Sequence, residues 1–93
     1  MKTISSFYYG DEVIHLKKPL EVETESGVDF EFVVFSQAVN MGGAGHSLEE
    51  AFNDLGSSLV DLFSIYKNTP EEQLHESAKN ELARLSAYLG EIS

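Results

Sequence analysis

The chain has no cysteine and no tryptophan, only two prolines, and no apolar run approaching the length of a membrane-spanning helix. Without cysteine, disulfides, thiolate metal ligands and cysteine nucleophiles are excluded together. A span needs roughly 20 successive apolar residues, and a signal peptide needs a long apolar centre that the first residues lack. We therefore expect a cytoplasmic protein that does not use a membrane as a partner.

Positive charge is also scarce, and from Pro19 to Tyr66 it is missing altogether. The formal net charge is −10, and this central span contributes only acidic residues to it. Phosphate backbones bind proteins through clustered cations, so direct nucleic-acid binding is not expected. The acidic span would suit a basic partner, although acidic side chains also keep small domains dissolved.

The length of 93 residues predicts a single domain, 1–93, with one small core. With 42% hydrophobic residues, the chain is too apolar to be read as disordered despite its acidity. We therefore expect a folded protein with one hydrophobic centre.

The first part of the chain predicts a hairpin. Residues 3–9 are rich in aromatic and β-branched types, and Gly10-Asp11 is a turn signal before a second run, 12–16. Two short antiparallel strands are the simplest interpretation.

A second hairpin follows in the acidic span. Apolar and acidic residues alternate over 20–25 and again over 28–35, on either side of a Ser26-Gly27 turn signal. Beyond Phe32 both faces of the strand become apolar, which predicts a position in the middle of the sheet or beneath a helix. Residues 38–41 are interpreted as one more short strand.

A glycine-rich turn, 42–45, then leads into a helix. Ser47 is a good N-cap, and the Glu50 side chain is placed to reach back to the Ser47 N–H in a capping box. Apolar residues recur at helical spacing from 47 to 66. Gly56 interrupts this helix, and its missing side chain predicts close approach of a neighbour.

A second helix is predicted to open with Thr69 as N-cap and Pro70 in its first turn. Its apolar residues form a narrow seam, which is a possible self-association surface: Leu74, Ala78, Leu82, Leu85 and Leu89. Such a seam packs either within the domain or against the same helix of a second subunit. Fewer than three heptads are present, which favours packing within the domain.

These elements predict an α+β fold, in which an antiparallel sheet of three to five strands is packed by two helices. The order is β-β-β-β-α-α, with a fifth strand possible before the helices. Runs of strands followed by runs of helices are typical of this class.

Candidates for chemistry are weak. The glycines lack the Lys-Ser or Lys-Thr ending of a P-loop, and no serine lies in a Gly-x-Ser-x-Gly context. His15, His46 and His75 are too far apart in sequence to form a metal-binding pair on one helix or strand. The sequence therefore predicts no catalytic residue, no metal ligand and no cofactor site.

The segment from Leu20 to Tyr66 resembles the HicB antitoxin family in its order of hairpin, short strand, glycine motif and amphipathic helix. The family's Gly-x-[Ser/Thr]-x-Glu-Glu-Ala motif and the helical stretch after it are matched by Gly45, Ser47, Glu49, Glu50, Ala51, Asn53 and Leu55. The resemblance implies a partial RNase H-like fold without the nuclease's acidic centre. It also implies a role in covering a small basic mRNA interferase toxin of the HicA type.

The functional prediction is therefore a noncatalytic, HicB-like antitoxin whose partner is a basic toxin. Four acidic residues are the predicted partner-binding set: Asp29, Glu31, Asp54 and Asp61. The residues after Tyr66 resemble no operator-binding module, so DNA binding is not expected. The alternative is an orphan structural or regulatory domain, without a toxin, that forms a homodimer or higher oligomer through the leucine seam.

Overall fold

The computed structural model describes residues 2–26 and 31–90, and these form a four-stranded antiparallel sheet followed by two helices. The strands are β1 (Lys2–Tyr9), β2 (Glu12–Ser26), β3 (Phe32–Ser36) and β4 (Met41–Gly45). The helices are α1 (Leu48–Lys67) and α2 (Glu76–Leu89), with a short 3₁₀ turn, Glu71–Gln73, between them. The predicted α+β class and element order are confirmed.

The sheet has the order β1-β2-β3-β4, so each strand pairs with its neighbour in sequence. The two predicted runs 12–16 and 20–25 are one long strand, β2, and no fifth strand is formed by the described residues. The register with β1 shifts between Ile4 and Ser6, where Ile4 pairs with Leu20 but Ser6 pairs with His15. The extra residues of β2 include Pro19, which cannot donate a ladder hydrogen bond.

The strand predicted at 38–41 lies later in the chain than expected. Residues 37–40 form a turn, with Asn40 at a φ of 54°, and the strand β4 begins at Met41. The predicted glycine-rich turn at 42–45 is therefore strand. A Cβ on Gly43 would meet the backbone of Leu55 and lie 2.6 Å from the Ala51 carbonyl oxygen. Gly43 and Gly45 are thus explained by close packing against α1 rather than by a turn.

At the start of α1, one of the two hydrogen bonds of the predicted capping box is formed and the other has a different donor. The Ser47 Oγ accepts a hydrogen bond from the Glu50 N–H at 3.1 Å, as expected of an N-cap. The Glu50 carboxylate, however, accepts from the N–H of His46 at 2.8 Å rather than from that of Ser47. Both hydrogen bonds satisfy amides that the helix and strand would otherwise leave unpaired.

The second helix begins later than predicted. Thr69 does not cap it, because its hydroxyl donates to the Ile65 carbonyl oxygen at 2.7 Å and so closes the end of α1. Residues 71–73 form the 3₁₀ turn, and α2 starts at Glu76 after His75. The proline thus separates the two helices rather than opening the second.

The core lies between the inner face of the sheet and both helices. Fully buried side chains come from every layer, among them Leu20, Val22, Val34, Leu55, Leu59 and Leu85. Leu85 and Leu89 of the predicted seam belong to this core, which agrees with packing of α2 within the domain. None of the helices in the described ranges is long and apolar enough to cross a membrane.

Gly56 has the close neighbour that the sequence predicted. It is buried in the middle of α1, and the ring of Phe7 from β1 occupies the place where a Cβ would stand. The missing side chain therefore allows the helix and the first strand to pack together.

We predict that Gly56→Ala destabilises the fold by about 1–3 kcal/mol, because overpacking against Phe7 outweighs the gain of about 1 kcal/mol in helix propensity. Chemical denaturation measures the free energy of unfolding. Ser64→Ala, an exposed position on the same helix, is the control and should change stability by no more than about 0.5 kcal/mol. A more stable Gly56→Ala protein would show that Phe7 does not constrain this position.

Candidate binding surface

The sheet has an outer face that neither helix covers. Side chains alternate along β2, β3 and β4, so Val22 and Val34 point into the core while their neighbours point away from it. The outer-face residues of these three strands are all exposed: Glu21, Glu23, Glu25, Val33, Phe35, Gly42 and Ala44. As its apolar pattern predicted, β3 lies in the middle of the sheet, between β2 and β4, and beneath α1. Its outer side is open because both helices pack on the inner side.

The strand register arranges the outer face in two rows. Phe35 lies between Glu23 on β2 and Gly42 on β4, while Val33 lies between Glu25 and Ala44. In each row a carboxylate stands on one side of an apolar side chain, and a very small residue stands on the other. The small residues of β4 leave the apolar side chains open to a partner.

The two apolar side chains at the centre of this face are exposed. Val33 is 41% exposed and Phe35 is 37% exposed. A shallow hollow of about 470 Å³ lies against both of them, and its remaining lining comes from Glu23, Thr24 and Glu25. Glu23 and Phe35 also border a smaller hollow on the side of Gln37. Exposed apolar side chains within a polar rim are typical of protein-binding sites.

The charged residues that flank this centre on β2 are all carboxylates. Glu21, Glu23 and Glu25 are exposed along β2, and the surrounding sequence from Pro19 to Tyr66 has no Lys or Arg. Within the described part of the chain, the one salt bridge joins Arg84 to Glu81 and lies on α2. The carboxylates of the outer face therefore remain available to cations from outside the domain.

Two of the predicted partner-binding residues make contacts inside the domain. The Asp54 carboxylate accepts a hydrogen bond from the Ala44 N–H at 3.0 Å, and the Asp61 carboxylate accepts one from the Tyr9 hydroxyl at 2.6 Å. Glu31 is exposed just before β3, whereas Asp29 lies outside the described residues. Asp54 and Asp61 thus engage opposite edges of the sheet, which gives both a structural role.

Two successive side chains of α1 form hydrogen bonds with the two edge strands of the sheet. Asn53 accepts a hydrogen bond from the Tyr8 N–H of β1 at 2.9 Å, and Asp54 does the same for Ala44 of β4. Glu50, one turn earlier, holds the N–H of His46 just beyond β4. Amides on a free sheet edge invite pairing with another strand, so these contacts protect both edges.

The leucine seam divides into a buried and a partly exposed part. Leu85 and Leu89 are buried in the core, whereas Leu74, Ala78 and Leu82 are partly exposed. A second groove, of about 550 Å³, lies between the end of α1 and α2. It is lined by Tyr66, Lys67, Thr69, Glu71, Leu74, Lys79, Leu82 and Ala83. The sequence periodicity identified the leucines but gave no sign that two lysines would join them.

The three histidines lie on separate elements, His15 on β2, His46 before α1 and His75 before α2. Among residues 2–26 and 31–90, no three His, Asp or Glu side chains are grouped closely enough to hold a metal ion.

No protein-family model, curated protein or solved structure matches the chain. The resemblance to the HicB family accordingly remains a prediction from the motif. The structure does explain why several motif residues are present, since Ser47 caps α1, Ala51 is buried and Asn53 binds β1.

The hydrogen bond between Tyr9 and Asp61 has a measurable consequence. The bond favours the protonated phenol, and the negative charge of Asp61 acts in the same direction, so the pKa of Tyr9 is raised above its ordinary value near 10. A raised pKa in the folded state means that the bond stabilises the fold below pH ~10 and loses this effect as the pH rises through the pKa of Tyr9.

We predict that Asp61→Ala lowers the pKa of Tyr9 towards its ordinary value, as followed by the pH dependence of the ring ¹³Cζ resonance. Asp11→Ala, at the turn beyond β1, removes a carboxylate without removing this bond and is the control. An identical Tyr9 titration in wild type and Asp61→Ala would contradict the assigned contact.

Proposed function

We propose that this protein is a noncatalytic binding module, of the HicB antitoxin type, that covers the basic surface of a small ribonuclease toxin. The observation that carries the proposal is the open outer face of β2–β4, where Val33 and Phe35 are exposed beside three glutamates that form no salt bridge with the described residues. Proteins that bind RNA present basic surfaces, which this face complements in charge.

The chemistry of the face supports binding through two different contributions. Phe35 and Val33 supply the apolar centre, whose burial would provide most of the affinity. Glu21, Glu23 and Glu25 form the rim, where charges act mainly on the rate of association and on the choice of partner. A partner with an apolar site surrounded by Lys or Arg would satisfy both.

The contacts of α1 support docking on the face rather than at a sheet edge. Asn53 and Asp54 occupy edge amides of β1 and β4, so a partner strand would have to displace them. On this proposal Asp54 and Asp61 act behind the interface as supports of the sheet edges, while Glu31 lies close to the start of β3.

The test is capture of the partner by the tagged protein from extracts of its own cells, followed by a ribonuclease assay of the captured protein. We expect a small basic protein whose RNA cleavage is inhibited by stoichiometric addition of this chain. Capture of a protein without ribonuclease activity, or one that remains active in the complex, would contradict the antitoxin assignment.

We predict that Phe35→Asp weakens binding of that partner by about 2 kcal/mol or more, which is roughly 30-fold in Kd. Paired reversal of Glu23 and Glu25 to Lys should mainly slow association and reduce its dependence on salt. The matched control reverses Glu12 and Glu72, two exposed carboxylates outside the face. Calorimetry and stopped-flow kinetics measure both effects, and equal losses in control and test proteins would exclude this face as the interface.

A further inference from the structure

The groove beside α2 contains two of the chain's few cations. Lys67 at the end of α1 and Lys79 on α2 both border it, opposed by one carboxylate, that of Glu71. The chain has only six Lys and Arg residues in total, and its net charge is −10. A groove with two lysines is therefore a locally basic site on an acidic protein.

The walls of this groove are apolar. Leu74 and Leu82 line it with Tyr66, and all three are only partly buried by the domain itself. The aliphatic stems of lysines can extend such a wall while their ammonium groups stay at the rim. The groove therefore offers an apolar floor with a cationic border, and its volume of about 550 Å³ is large enough for an aromatic side chain.

The outer sheet face has the opposite pattern. Phe35 and Val33 are exposed at its centre, and Glu23 and Glu25 stand beside them. An apolar centre with a carboxylate border complements an apolar groove with an ammonium border in charge.

We propose that two copies of this chain associate head to tail, with the outer sheet face of one copy seated in the α1–α2 groove of the next. A face-to-face pair related by a two-fold axis is disfavoured, because it would oppose the glutamates of one copy to those of the other. A groove-to-groove pair would likewise oppose the lysines. The head-to-tail contact leaves one face and one groove free, so it propagates into longer assemblies unless it closes into a ring.

This association does not depend on the toxin proposal, but it uses the same sheet face. A basic partner and a second copy would therefore compete for Phe35. The two proposals can be tested separately. A protein that does not self-associate can still bind the toxin, and a protein that binds no toxin can still self-associate.

The test is sedimentation equilibrium at about 0.15 M salt, where repulsion between the net charges is screened beyond roughly 8 Å. We expect the average mass of the wild-type protein to rise with concentration above the 10.3 kDa of one copy. A mass that stays at one copy up to about 1 mM protein, the weak end of specific association, would overturn the proposal.

Two variants then separate head-to-tail association from the symmetric alternatives. The face variant is Phe35→Asp, and the groove variant combines Lys67→Gln with Lys79→Glu. Each should remain a monomer alone, since each retains only one working surface. Association that survives in the groove variant would indicate a face-to-face pair, and association that survives in the face variant would indicate a groove-to-groove pair; either result overturns the proposal.

Mixing the two variants gives the decisive result. The intact groove of the face variant should bind the intact face of the groove variant, and the mass should stop at two copies. The control combines Lys17→Gln with Arg84→Glu, which makes the same change in charge away from both the groove and the sheet face and should associate like wild type. If circular dichroism shows that Phe35→Asp is unfolded, Glu23→Lys with Glu25→Lys serves as the face variant. A mixture that stays monomeric would overturn the head-to-tail contact.

Discussion

The close contact between α1 and the backbone of β4 is the constraint on which the rest of the structure depends. Gly43 allows the helix to approach until a Cβ would collide with the Leu55 and Ala51 backbones. At that distance the short side chain of Asp54 can reach the Ala44 N–H of the strand. On the other side of the helix, Gly56 admits the ring of Phe7 and Asn53 reaches Tyr8. One helix therefore holds both edges of a four-stranded sheet.

This arrangement determines which surface remains open. Because α1 and α2 pack on the inner face and α1 protects amides at both edges, the outer face of β2–β4 is left as the free side of the sheet. Small residues on β4 serve the two faces separately: Gly43 admits the helix on the inner face, whereas Gly42 and Ala44 provide little cover for Phe35 and Val33 on the outer face.

Much of the fold could be predicted from the sequence, because most helices and strands have clear capping residues and apolar periodicity. Ser47 begins α1, apolar spacing follows the helix to Lys67, and alternation marks the strands. The predictions were wrong where contacts between separate elements determine the local structure. The glycine-rich segment 42–45 predicts a turn, because the close packing of Gly43 and Gly45 against α1 is not visible in the sequence. The pair Thr69-Pro70 likewise predicts a helix start, although the Thr69 hydroxyl bonds back to Ile65.

The candidate site was harder to predict than the fold. The acidic character of the central span was evident, but alternation alone does not show which face of β3 lacks a cover. Asp54 and Asp61 looked like free surface charges, and only the structure shows their bonds to Ala44 and Tyr9. The most direct measurement of the central claim is broadening of the Val33 methyl and Phe35 ring resonances by a soluble paramagnetic chelate, in dilute free protein and in its complex with a captured partner. The account predicts strong broadening in the free protein and protection in the complex. Protection already in the free monomer, or equal broadening in the complex, would contradict it.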